Sequence, residues 1–342
     1  MLLVGAVYWL ASLLSEHPAF ALVAAALCAC SPFVLEYAQR AQGYAFVALA
    51  VTAAVAAAIQ HDRADRRRAL WLGASLAASV LSLCLNYTAA LVAAPLGAWV
   101  ATRAAVSGRW RWGFAGACAT VEVALVPLLL TQHDAFPNRS GVASIAGLTP
   151  TTLANMLEVP FGGRVNALRP LGIAVTVGAL LALLGSRRFR EHRFGAGRLL
   201  VLIAVGEPLS LVVLSAFGGH AFFGHLMLTR YAAVAAPFII VAIALALEAI
   251  PWPLAGLLAA GAAVVTIARG IDNHRPQAFY LDARDVVAYV QAHVRPGDAV
   301  LAPPYPWDAL PLSYYGLAPC DRGGPETRRR RRLCVLAPID SG

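Results

Sequence analysis

The chain has 342 residues, of which 59% are hydrophobic and only 13% charged, and it carries a net charge of +9. That charged fraction is about half the soluble average of about 25%, which excludes an ordinary water-soluble domain. All 27 basic residues are arginines in loops, span ends and a tail. Membrane topology accounts for most of them, so the positive charge is no argument for nucleic acid.

Apolar runs near the ~20 residues needed to cross a bilayer recur along the chain. The first, Leu2 to Leu14, is short and starts directly at Met1. It has no basic n-region and no small-residue cleavage site, and so does not read as a signal peptide. Glu16, His17 and Pro18 make a turn, and a second span runs from Ala19 to about Leu35. Then comes the polar interruption of the N-terminal half, SPFVLEYAQRAQGYAF from Ser31, with Glu36, Tyr37, Gln39, Arg40, Gln42 and Tyr44 close together. Ionisable residues at membrane depth or at its edge are costly and point to function. In a helix Glu36 and Arg40 are i,i+4 neighbours, and Tyr37, Arg40 and Tyr44 share a face. The plain alternative is that Arg40 and the tyrosines anchor a helix end among lipid headgroups.

The third span is 44–60, followed by the charged loop HDRADRRR at 61–68. Spans four to six are 69–85, 88–106 and 113–130, with Asn86 and Tyr87 at the far end of the fourth. A long loop, 131–169, follows. In it Thr149 and Pro150 predict a helix start, and Leu153, Met156 and Leu157 predict a short amphipathic helix in the interface. Spans seven to ten are 170–185, 199–217, 231–250 and 254–268, separated by an arginine-rich loop, a loop holding His220 and His225, and a Pro-Trp-Pro turn. Loops 61–68, 103–112 and 186–198 hold twelve arginines; the opposite loops hold five, Arg40, Arg139, Arg164, Arg169 and Arg230. The positive-inside rule puts the twelve in the cytoplasm. The polar stretch, the long loop, the histidine loop and the tail then share the outward side.

From Gly270 the pattern changes. Val286, Val290 and Val294 fall on one helical face. AVLAP and LCVLAP read as buried strands, and 307–316 as a second short helix. The predicted fold is thus an all-α polytopic membrane protein of about ten transmembrane helices, residues 1–269, with a small α/β extracytoplasmic domain, residues 270–342. The five consecutive arginines 328–332 are either a solvated loop or a contact for anionic lipid or phosphate. Cys28, Cys30, Cys84 and Cys118 read as core packing, and a bridge between Cys320 and Cys334 is open. Glu122, Glu207 and Glu248 lie within spans, where helix–helix hydrogen bonding is commoner than proton relay. No residue is assigned to a metal. No phosphate-binding loop, dinucleotide fingerprint or Ser/His/Asp elbow occurs, so a cytosolic nucleotide-sugar enzyme has no support.

Four segments resemble the GT-C superfamily of polytopic glycosyltransferases, in its protein-mannosyltransferase-like and RgtA/B/C/D-like galacturonosyltransferase group. They are SPFVLEYAQRAQGYAF, the long loop with its short helix, TRYAAVAAP at 229–237, and YLDARDVVAYVQAHVRPGDAVL. The resemblance implies a bacterial cell-membrane enzyme that moves a sugar from a polyprenyl-phosphate donor to an extracytoplasmic glycolipid, envelope glycan or protein acceptor. Where the family has Glu-Ala-Arg, this chain has Arg40, Ala41 and Gln42. The family's first helix and its first outward loop, the one that carries the catalytic acid, have no equivalent here; the resemblance implies either that they belong ahead of Met1, the favoured reading, or that the chain is a diverged member with altered or no activity.

On this likeness Arg40 and Arg230 would hold the donor phosphate, since a guanidinium fork matches phosphate oxygens. Gln42, Tyr44, Tyr87, Tyr231 and His225 would contact substrate. The catalytic residue is unknown. Glu36 is the only outward carboxylate inside the key motif, though it could instead pair with Arg40. Whether a divalent metal takes part stays open. Two other classes compete. A lipid or solute transporter predicts polar residues at the midplane and inverted repeats, and no repeat is visible. A non-catalytic membrane fragment that binds lipid or a partner fits the missing first loop.

Overall fold

The computed structural model describes residues 1–39, 43–63, 67–102, 112–124, 159–161, 168–186, 194–217, 229–274, 292–293, 299–302, 318–319 and 332–335. The chain divides into two compact units, Met1–His274 and Arg275–Gly342.

The first unit is helical. Its helices include Tyr44–Arg63, Arg68–Leu85, Phe194–Phe217, Ala236–Ala249 and Trp252–His274. Among the described residues five segments are long and apolar enough to cross a membrane, four within these helices and one, Ala232–Ala249, that also takes in the end of a 3-10 stretch. Leu2–Leu14, Pro18–Cys30, Tyr87–Thr102 and Arg169–Gly185 are apolar but shorter. Large apolar side chains such as Leu22, Phe46, Leu181, Trp252 and Leu257 stay exposed on these helices, the surface expected where lipid is the solvent. The unit is a membrane-protein bundle, with five crossings supported by length where the sequence suggested ten.

Helix Ala236–Ala249 is the centre. Every residue from Ala236 to Leu247 is buried, as required of a helix that is apolar all round. It packs against Leu2–Leu14, Pro18–Cys30, Arg169–Gly185, Phe194–Phe217 and Trp252–His274. A second layer pairs Tyr44–Arg63 with Arg68–Leu85. Ser75, Ser79 and Ser82 recur at helical spacing on the buried face of the latter, and small residues let backbones approach. The Ser75 hydroxyl donates to the Ala54 carbonyl at 2.8 Å. Ser79 and Ser82 donate within their own helix, to the carbonyls of Ser75 and Ser79. Trp9 meets Trp71 with ring centroids 5.6 Å apart.

Several boundaries differ from the sequence expectation. The second span stops at Cys30, and Pro32–Gln39 is a separate helix. Pro32 has no N–H and pushes Ser31 out of helical geometry, to φ −61°, ψ 118°. Gly43 then turns the chain at φ +72°, a left-handed value that glycine reaches without strain, before Tyr44 starts the next helix. The fifth span is a 3-10 turn, Tyr87–Ala89, followed by Ala90–Thr102. The ninth is likewise a 3-10 stretch, Thr229–Val234, ahead of its helix. The expected interfacial helix in the long loop lies outside the described residues. Cys28 and Cys118 are buried as expected, but Cys30 and Cys84 are exposed.

In the second unit three strands form a parallel sheet in the order β1-β3-β2, with β1 Ala299–Ala302, β2 Ala318–Pro319 and β3 Arg332–Val335. β1 and β3 coincide with the two expected apolar runs; β2 was not foreseen. Cys334 lies on β3, and Cys320 is outside the described residues.

Helix Trp252–His274 approaches Arg169–Gly185 through Gly261, where an added Cβ would come within 3.1 Å of Val175 Cγ2. Gly261→Leu is therefore expected to destabilise the bundle by about 1–3 kcal/mol through overpacking. Adding Val175→Ala is expected to recover part of the loss, and thermal melts of the single and double variants in detergent check the coupling.

Candidate functional site

Two ends of the helical unit can be told apart from its hydrogen bonds. At one end Glu248 Oε1 accepts the Glu16 backbone N–H at 2.9 Å, joining the first turn of the chain to the end of the central helix. The 13-residue helix Pro18–Cys30 then carries the chain about 20 Å to Ser31. There the Ser31 hydroxyl donates to the Pro160 carbonyl at 2.6 Å and accepts the Val34 N–H at 3.2 Å. One serine thus caps helix Pro32–Gln39 and ties it to the 3-10 turn Val159–Phe161, the described remnant of the long loop.

Polar segments singled out in the sequence gather at this Ser31 end. Helix Pro32–Gln39 packs against Val159–Phe161, Thr229–Val234 and Tyr44–Arg63. The Tyr87–Ala89 turn also packs against Thr229–Val234. Its shape comes from Asn86, whose Oδ1 accepts both the Thr88 N–H and the Thr88 hydroxyl at 2.9 Å. The backbones bearing Glu36, Tyr44, Tyr87, Arg230 and Tyr231 are therefore brought together. Arg40, Gln42 and His225 lie outside the described residues.

Beside these segments is a small apolar cleft, lined by Leu3, Phe33, Val34, Tyr44, Ala45, Ala48, Ala233 and Pro237. Tyr44 is buried in its wall. Phe33 and Val34 come from the separated helix, and Ala233 from the 3-10 stretch. The cleft thus exists because the second and ninth spans are broken.

Sequence reasoning missed three features. Arg269 is the largest fully buried side chain among the described residues. It is not isolated there, since the residue takes part in a polar or ring interaction. Its helix continues to His274 and packs on Pro32–Gln39 and Val159–Phe161, so the expected end at Ala268 was too early. A single arginine after an apolar run looks like a loop residue, and only the further turn of helix shows otherwise. Glu207 is fully buried and among the described residues neither carboxylate oxygen has a hydrogen-bond partner, where a helix–helix bond was expected. Glu248 instead accepts from the turn between two helices, at Glu16. Finally, Glu16, His17 and Glu248 each offer a ligand atom within 4.8 Å of the others, a set that could take a divalent ion. It lies at the end away from the cleft.

Compared with protein families, with characterised proteins and with solved structures, the chain matches none.

The Ser31 contact makes a direct forecast. Ser31→Ala removes one cap and one buried hydrogen bond, and is expected to cost about 1–2 kcal/mol. Limited proteolysis should then cut first near the Pro32–Gln39 helix, while Ser12→Ala, which loses only a bond within its own helix to the Trp9 carbonyl, leaves the cleavage pattern unchanged.

Proposed function

We propose that the chain is a bacterial cell-membrane glycosyltransferase that moves a sugar from a polyprenyl-phosphate donor to an extracytoplasmic glycolipid, glycan or protein acceptor. The observation that carries this reading is the convergence of helix Pro32–Gln39, the start of Tyr44–Arg63, the Tyr87–Ala89 turn and the Thr229–Val234 stretch at one end of the helical unit, with a small apolar cleft beside them. A donor of this class needs an apolar path for its isoprenoid tail beside polar groups for its phosphate and sugar, and this reading puts both at that end. In this reading about ten crossings, the shorter apolar helices included, place the arginine-rich loops in the cytoplasm. The cleft then opens at the outer leaflet, and residues 270–342 form an outward α/β domain.

In the reaction an acceptor hydroxyl oxygen bonds to the anomeric carbon as the bond from that carbon to the phosphate oxygen breaks. Its proton passes to a carboxylate base, for which Glu36 is the candidate on the gathered segments. Polyprenyl phosphate leaves with the electron pair, and Arg40 and Arg230 stabilise the charge that develops on it. Tyr44, Tyr87, Tyr231, Gln42 and His225 orient the sugar and acceptor. The isoprenoid tail lies along the apolar helix surface beside the cleft, which fixes the reacting carbon relative to the base.

The test is release of polyprenyl phosphate from hexosyl and pentosyl donors by the full chain in nanodiscs. Arg40→Ala and Arg230→Ala are each expected to lower turnover roughly 10- to 100-fold, the worth of one charged hydrogen bond. Ala48→Trp, which fills the cleft, should raise KM for long-chain donors more than for short-chain ones. Equal turnover in both arginine variants removes them from the site, and absence of turnover in the wild type across these donors overturns the reading.

A further inference from the structure

Glu207 stands out among the acids of the helical unit. It lies inside Phe194–Phe217, within the membrane-crossing window 196–213. It is 0% exposed, and among the described residues neither carboxylate oxygen has a hydrogen-bond partner. An ionised carboxylate in such a place loses its hydration and gains no compensating bond, a cost of many kcal/mol. The neutral acid loses far less.

Among the described elements, Ala90–Thr102, Ala236–Ala249 and Thr229–Val234 pack closely against this helix. The first carries no ionisable residue. The second carries only Glu248, in its last turn and bonded to the Glu16 N–H. The third carries Arg230 and Tyr231. On its own helix the other charged residue is Arg198, nine positions away and exposed. The next residue, Pro208, is inside the helix. It has no N–H, so the Ala204 carbonyl loses its usual helical donor and the helix is weakest at the acid itself.

We propose that Glu207 is a proton-binding site of the bundle: its carboxyl is held as the neutral acid while the helix is sealed, and it releases the proton when the helix opens at Pro208 and admits water. A buried, unpartnered acid beside a hinge couples proton occupancy to the packing of that helix against the central one. The glycosyl-transfer reading does not require this site, and the site does not require that reading.

Dicyclohexylcarbodiimide is the probe, applied to the full chain in nanodiscs and read by peptide mass spectrometry. This apolar reagent partitions into the bilayer and reacts with protonated carboxyls. The carboxyl proton moves to one reagent nitrogen and the carboxyl oxygen bonds to the central carbon. Migration of the acyl group to nitrogen leaves an N-acylurea that retains the whole reagent. The expected result is an adduct at Glu207 whose rate falls as pH is raised through neutrality, and its loss from that peptide in Glu207→Gln. The wild type should also melt at falling temperature as pH rises, relative to Glu207→Gln. Its native state keeps a proton that the unfolded chain has given up, so stability declines with pH. A native protein that reacts only at Glu122 or Glu248, that reacts at Glu207 only after unfolding in dodecyl sulfate, or that reacts there independently of pH overturns the proposal. If Glu207→Gln does not fold, the wild-type labelling and its pH dependence decide alone.

Discussion

Everything in the helical unit follows from one helix that has no polar side to show. Ala236–Ala249 is apolar around its full circumference and buried from Ala236 to Leu247. Backbone groups inside it are satisfied within the helix, so it can be enclosed without loss. The surrounding helices then expose Leu, Phe and Trp outward, which is stable only if the solvent is lipid. Both the bundle and its membrane setting therefore rest on the same constraint, the lack of any face that water could wet.

Within that frame the interesting chemistry comes from interruptions. Continuous helices would carry their termini to the membrane surface and leave the interior uniformly apolar. Pro32 stops one helix, Gly43 turns the chain, and the Thr229–Val234 stretch delays another helix by two 3-10 turns. Each interruption frees backbone groups that need partners. Ser31 and Asn86 supply some of them from side chains. The result is a polar assembly at one end with an apolar cleft beside it, an arrangement that no unbroken bundle could make.

The two ends are also tied differently. At the Glu16 end a single carboxylate accepts a backbone N–H from a residue 232 positions away in sequence. At the Ser31 end the joins are among short elements, 3-10 turns and an eight-residue helix. Short elements have few internal hydrogen bonds to lose, so this end can rearrange at lower cost than the long helices. Glu207 and Arg269, both fully buried, add ionisable groups to an interior that otherwise has few.

The sequence by itself determined the class of protein, the positions of most helices and the two apolar strands. These depend on local composition and periodicity, which a linear chain displays directly. It also marked Ser31 to Tyr44 and Thr229 to Pro237 as unusual, because proline, tyrosine and arginine interrupt apolar runs there. It placed the end of the last helix too early at Ala268, and gave no sign that Glu207 lacks a partner, because pairing depends on what neighbouring helices present. Only the tertiary structure decided that Ser31 reaches Pro160, that Glu248 reaches Glu16, and that Phe33, Tyr44 and Ala233 wall one cleft. Those contacts join residues separated by up to 232 positions, and their geometry is set by how the helices cross around Ala236–Ala249, which no local pattern encodes.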